Sequence, residues 1–234
     1  MRKIVVIGIA LFHVLFLQSQ GTVFIPKGGL TMGLQAWDGF QRQALFTYHG
    51  AIAMEGYKED APAALFAQFG LHNRGSSERV FFFNSPGSAS ANRQTFRFSN
   101  VSALFGAKKR INTSSTSKPY YSFGVRLEYT LSTNLDESSE FAGYFPIEQY
   151  VNKFNYGATL SFGYEFPFSE LVGGMIEASI SPDLSHQYQQ PGGIGVISPI
   201  TGRGITLREQ QIRNITFEIS FGFRFLHKVI YLDD

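Results

Sequence analysis

The chain has 234 residues, a formal net charge of +2 and no cysteine, which excludes disulfide staples and thiolate zinc sites and offers no basic surface for nucleic acid. Charged residues are only 16% of it, while 24 Phe, 11 Tyr and 24 Gly are all high; ordinary soluble domains carry about 25% charge. So aromatic a chain lacks the polar surface needed to stay dissolved, and its length fits a single domain.

The first segment is a targeting signal by its pattern. Met1, Arg2 and Lys3 precede the apolar run 4–17, and Gln18, Ser19, Gln20 and Gly21 follow. This reads as a secretory signal peptide over residues 1–20. The run falls short of the roughly 18 apolar residues of a spanning helix. No later segment is apolar enough either, so any membrane insertion is expected through strands of a single domain, 21–234.

Alternation then appears stave by stave. Leu30, Met32, Leu34 and Ala36 alternate with Thr31, Gly33, Gln35 and Trp37; a second strand, 48–57, sets Ile52 and Met54 against His49, Ala51, Ala53 and Glu55. Residues 58–62 form a polar turn, and Ala63, Leu65, Ala67, Phe69 and Leu71 mark the third strand. A Ser/Gly/Asn/Arg-rich outer loop is expected over 72–95. The fourth strand covers 96–108, with a phase slip between Phe98 and Val101 that predicts a bulge.

The second half is more regular. Tyr121 to Leu131 and Ala158 to Phe166 carry apolar residues at every second position, and Ile176, Ala178 and Ile180 form a seventh strand that ends at Pro182. The last strand, 215–226, has Ile215, Phe217, Ile219, Phe221, Phe223 and Phe225 on one face, with Thr216, Glu218, Ser220, Gly222 and Arg224 between them. Such a period of two belongs to strands. An arginine facing lipid at the midplane costs about 2–4 kcal/mol, so the Phe face looks outward and the Glu/Arg face inward.

Together these staves predict an all-β, eight-stranded, antiparallel, up-and-down transmembrane β-barrel. Eight strands enclose an interior that side chains fill, so the lumen is expected to be plugged. The network filling it is drawn from Glu55, Arg126, Glu128, Glu165, Glu177, Glu218 and Arg224, with Glu165 and Glu177 meeting around the Arg224 guanidinium. Connections after strands two, four and six are short or moderate and those after three, five and seven long, the habit of bacterial outer-membrane barrels. Both termini are therefore expected in the periplasm. A secreted lipocalin-like barrel would need a more highly charged outer face.

Signal peptide, aromatic staves, the segments Asn73-Arg74-Gly75-Ser76 and Phe105-Gly106-Ala107-Lys108-Lys109, and the Phe-rich last strand together resemble the PorT-like small outer-membrane barrels of the Bacteroidota. The resemblance implies a structural or accessory outer-membrane protein, in some members tied to type IX secretion, gliding motility or outer-membrane protein assembly. Unlike the commonest outer-membrane pattern, this chain continues past Phe225 into residues 226–234.

Catalysis has little sequence support. Some eight-stranded barrels hydrolyse or transfer lipid acyl chains with His, Ser and a carboxylate, which is the alternative reading here. His49, His72, His186 and His227, however, have no Ser and acid at a recognisable spacing. No enzyme, cofactor, metal site or small-molecule substrate is expected. The expected partners are outer-membrane lipids, lipopolysaccharide and a larger outer-membrane complex. Candidate anchors in the outer loops are Phe81, Phe82, Phe83, Tyr144 and Phe145, since exposed apolar groups mark interaction surfaces. The same loops have two other possible fates, a lid over the barrel or contact with lipopolysaccharide. A periplasmic tail, Val229, Ile230, Tyr231 and Leu232, is a second handle able to add a strand to a partner's sheet.

Overall fold

The computed structural model describes residues 21–37, 42–58, 61–85, 88–135, 148–197 and 202–228. The expected signal peptide, 1–20, the anchors Tyr144 and Phe145, and the tail residues Val229, Ile230, Tyr231 and Leu232 lie outside them. Eight long strands make the wall: β1 (Gly21–Ala36), β2 (Gln43–Tyr57), β3 (Ala63–Ser85), β4 (Ser88–Arg110), β5 (Lys118–Thr133), β6 (Phe154–Pro167), β7 (Val172–Pro182) and β11 (Gln210–Lys228). Between β7 and β11 lie the short strands β8 (Tyr188–Gln190), β9 (Gly195–Ile197) and β10 (Gly204–Thr206). Every long strand pairs antiparallel with its neighbour, and β1 pairs β11 from Gly21↔Lys228 to Ala36↔Arg213, which closes the ring. Over the stretch that all eight strands share, the closed ring leaves no sheet edge unpaired, the condition for crossing hydrocarbon with strands.

Burial follows the period of two. Along β5 the pattern alternates at nearly every residue, with Ser122, Arg126, Glu128 and Thr130 buried and Phe123, Val125 and Leu131 exposed. An apolar exterior around a polar interior inverts the soluble arrangement, so the exterior is the lipid face of a transmembrane β-barrel. Tyr121 and Tyr129 on β5, and Tyr164 and Tyr156 on β6, are each eight residues apart with only apolar outward residues between them. Eight residues extend about 27 Å along a strand, or about 20 Å after tilt, close to the apolar belt of an outer-membrane barrel with aromatics at its borders.

Several staves run further than their alternation predicts. Residues 72–85 and 88–95, expected to belong to one loop, are strand: β3 pairs β4 without interruption from Ala63↔Lys109 to Phe83↔Ala89, and only positions 86–87 separate the two strands. The segment Asn73-Arg74-Gly75-Ser76 thus lies inside β3, and Phe81, Phe82 and Phe83 pair with Ala91, Ser90 and Ala89 in a ribbon. The connection after the third strand is therefore the shortest at its end of the barrel, not a long one. Beyond the lipid belt both faces of a stave meet polar surroundings, so the hydrophobic alternation fades while the hydrogen-bond ladder continues. In β1 the opposite occurs: Val23 and Ile25 are apolar yet point inward, which hides the residues before Leu30 from a pattern search. The bulge is present, as a register shift between Ser99 and Asn100. It turns Phe96 and Phe98 inward while Val101 and Phe105 face out.

Two glycines permit close approach. Gly75 has φ +150° and lies against the Phe96 carbonyl, leaving no room for a Cβ. At Gly163 a Cβ would sit 2.6 Å from the phenol end of Tyr120, the residue paired with it on β5.

Candidate functional site

The lumen is the richest chemical environment in the molecule, filled in layers by inward residues of every long strand. Its lowest layer, towards the end where Gly21 pairs Lys228, holds two carboxylates and three cations. Lys108 Nζ lies 2.8 Å from Glu55 Oε2 and contacts Glu165; Arg110 donates from Nε to Glu165 Oε2 at 2.8 Å and from Nη2 to Glu55; Arg224 Nε approaches Glu165 Oε1 at 3.2 Å. The Lys108 ammonium also rests 4.1 Å from the Tyr120 ring centroid. Glu177 does not join Arg224 as expected. It accepts from Lys27 Nζ at 2.6 Å and from Tyr120 Oη at 2.9 Å. Lys27 belongs to the part of β1 that lacks alternation, which is why this partner escapes the sequence reading.

The middle layer is a relay of small polar groups. His49 contacts Thr31 Oγ1 at 2.8 Å and Ser220 Oγ at 2.9 Å, His72 Nδ1 lies 2.6 Å from Glu218 Oε1, and Thr31 donates to the same carboxylate oxygen at 3.4 Å. The two imidazoles stack at 5.5 Å between centroids, 8° from parallel. His72, expected at the start of a loop, is thus a buried lumen residue. Ser220 and Glu218 come from β11 and the histidines from β2 and β3, so no spacing along the chain announces the cluster.

Above it, two arginines share two carboxylates. Arg74 Nη2 lies 2.8 Å from Glu128 Oε1 and its Nη1 3.2 Å from Asp183 Oδ1; Arg126 Nε lies 3.1 Å from Glu128, and its Nη2 contacts Asp183. Asn214 Nδ2 donates to the second oxygen of Asp183 at 2.8 Å. Neither Arg74, named by sequence only within the segment 73–76, nor Asp183 is expected among the lumen charges, yet Arg74 is wholly buried. Asp183 follows Pro182, where β7 ends and the chain bends before resuming along β11 as β8. Among the described residues of these layers, six cations (Lys27, Arg74, Lys108, Arg110, Arg126, Arg224) stand against six carboxylates (Glu55, Glu128, Glu165, Glu177, Asp183, Glu218), Glu218 being the one met by a histidine, His72. Balanced pairing is what makes so many buried charges tolerable.

An apolar cap closes the far end. Trp37, Tyr188 and Ile212 form one buried cluster and Phe96, Phe98 and Leu135 another, both touched by Val151 and the first also by Tyr150. Arg42 spreads over the Trp37 and Phe96 rings at 3.8 and 4.4 Å and pairs with Glu78 at 2.7 Å. Tyr150 and Val151, from the long connection after β5, therefore help seal the barrel. Phe154, three residues further on, is an outward residue of β6.

Between the layers, the voids lined by described residues are small, about 10 Å³ beside His49, His72 and Ser220 and about 20 Å³ beside Glu55 and Lys108. One water needs about 10–15 Å³, so the barrel is plugged by its own side chains. Arg224 is its most weakly held charge, with one ion pair and an edge open to solvent. Its replacement by alanine is expected to cost about 1 kcal/mol, read from the unfolding midpoint in detergent; a loss above about 3 kcal/mol would mean that Glu165 depends on it alone.

No family model matches the chain, and no curated protein sequence matches it. Solved structures similar to it include the outer membrane protein OprG of Pseudomonas aeruginosa, with 10% identity over 88% of this chain and 99% of that one and a TM-score of 0.47. Neisserial surface protein A is 13% identical over 86% of this chain and 96% of that one, with a TM-score of 0.45. The attachment invasion locus protein Ail of Yersinia pestis is 13% identical over 88% and 99%, with a TM-score of 0.41. The barrel assignment itself follows from the register and burial of this chain's own strands.

Proposed function

We infer that this chain is an integral protein of a bacterial outer membrane, with both barrel termini on the periplasmic side. In this reading it serves as a structural or accessory subunit of a larger outer-membrane complex for protein secretion, of the type IX or gliding kind, or for barrel assembly. The observation that carries the reading is the combination of a lumen filled from the cap to the lowest ion pairs with a ribbon that outruns the barrel. Pairing of β2 with β3 ends at Gln43↔Ser77, whereas β3 and β4 stay paired to Ser85↔Ser88. The residues beyond, 78–85 and 88–95, extend about 25 Å. A plugged barrel has no passage to offer, so its function falls to its surfaces, and a two-stranded ribbon presents backbone edges that a partner strand can pair.

Lipid acyl transfer is the weaker reading. Its best assembly would be Ser220 with His49, but these two face a void too small for an acyl chain. The test is purification in mild detergent. A larger outer-membrane barrel should accompany the native chain and be lost when Phe81, Phe82 and Phe83 are replaced by Ser, while the variant still gives a heat-modifiable band. A solitary native monomer, or a partner retained by the variant, would contradict the proposal.

A further inference from the structure

Below the lowest ion pairs the barrel opens into a cup of about 490 Å³, at the end where Gly21 and Lys228 pair. Arg110, Glu165 and Arg224 form its floor; Tyr57, Lys58, Pro62, Lys118, Pro167 and Glu170 line its wall and rim. This volume falls in the range of small-molecule sites, about 300–1,000 Å³.

The cations of the cup are not equally engaged. Arg110 is committed to Glu55 and Glu165, and Lys108 behind it to the same two acids. Arg224 meets Glu165 through Nε, and among the described residues no carboxylate meets the two terminal nitrogens of its fork. Lys58 and Lys118 at the rim pair with no carboxylate among the described residues. Taken together, the described residues of cup and floor hold five cations (Lys58, Lys108, Arg110, Lys118, Arg224) against three carboxylates (Glu55, Glu165, Glu170), a surplus of two positive charges.

We propose that this cup binds a phosphate monoester of a small polar molecule. A monoester carries about −1.5 to −2 at neutral pH, which cancels the surplus, and its oxygens match the planar fork of Arg224 bidentately. Lys118 and Lys58 close on the remaining oxygens. Tyr57, Pro62 and Pro167 offer a less polar wall to the organic part. A phosphodiester, the chemistry of a phospholipid headgroup, carries one charge and leaves half of the surplus uncompensated.

Isothermal titration of the full, detergent-solubilised chain tests this, with glycerol 3-phosphate and inorganic phosphate as probes and dimethyl phosphate as the diester. Saturable binding of the first two is expected, with dimethyl phosphate weaker by about tenfold or more. Arg224→Gln should weaken glycerol 3-phosphate by at least about tenfold, the worth of a charge-assisted hydrogen bond. Lys118→Gln, at the exposed rim and safe for folding, should weaken it about three- to fivefold. Heat-modifiability verifies that each variant is folded, and Lys118→Gln alone carries the test if Arg224→Gln is not. Absence of saturable binding, equal binding of dimethyl phosphate, or affinity unchanged in the folded variants would overturn the proposal.

Discussion

Replacing Arg74 with alanine is expected to destabilise the barrel by about 3–5 kcal/mol, the cost of removing one partner from a buried ion pair. Arg74 is fully buried, and its guanidinium bridges Glu128 of β5 to Asp183 beyond β7, so its loss leaves two carboxylates sharing Arg126 alone. The single tryptophan, Trp37, sits in the cap just above and reports unfolding by its fluorescence. Urea titration in detergent or vesicles gives the difference directly. Arg79→Ala, exposed on the ribbon, should stay within about 0.5 kcal/mol. If the two variants were equally stable, the upper charge layer would contribute nothing to the plug.

The second large effect tests the outer face. Phe221 lies midway along the apolar row of β11 and is 63% exposed. In a bilayer, Phe221→Arg should cost about 2–4 kcal/mol and slow insertion into vesicles. Its neighbour Ser220 points inward to His49, and Ser220→Ala should cost about 1 kcal/mol, a single hydrogen bond. A protein with this face in water would instead tolerate Phe221→Arg and gain solubility, so equal stability of Phe221→Arg and the native barrel in lipid would reverse the inside-out assignment.

How much of this was legible depended on where lipid met the wall. Inside the belt one face must be apolar and the other polar, so the upper strands of the second half, such as 121–131 and 215–226, announce themselves in the sequence along with their inward charges. Outside the belt that contrast vanishes. The segment His72-Asn73-Arg74-Gly75-Ser76 is polar on both faces, and it conceals both the long ribbon and the arginine at the centre of the upper layer. Near the termini the contrast is inverted by Val23 and Ile25, and Lys27 is lost with them. Inward acids are visible one stave at a time, but which cation each one meets depends on register and shear. Glu177 therefore pairs with Lys27, across 150 positions of the chain, instead of with Arg224.

Planar-bilayer recording of the purified, folded chain tests the plugged barrel most directly. Cap, arginine layer, histidine relay and lower ion pairs each close the same lumen, so the account predicts a silent bilayer, with no steady ohmic conductance after verified insertion. Stable, voltage-independent open steps from the native protein would contradict it.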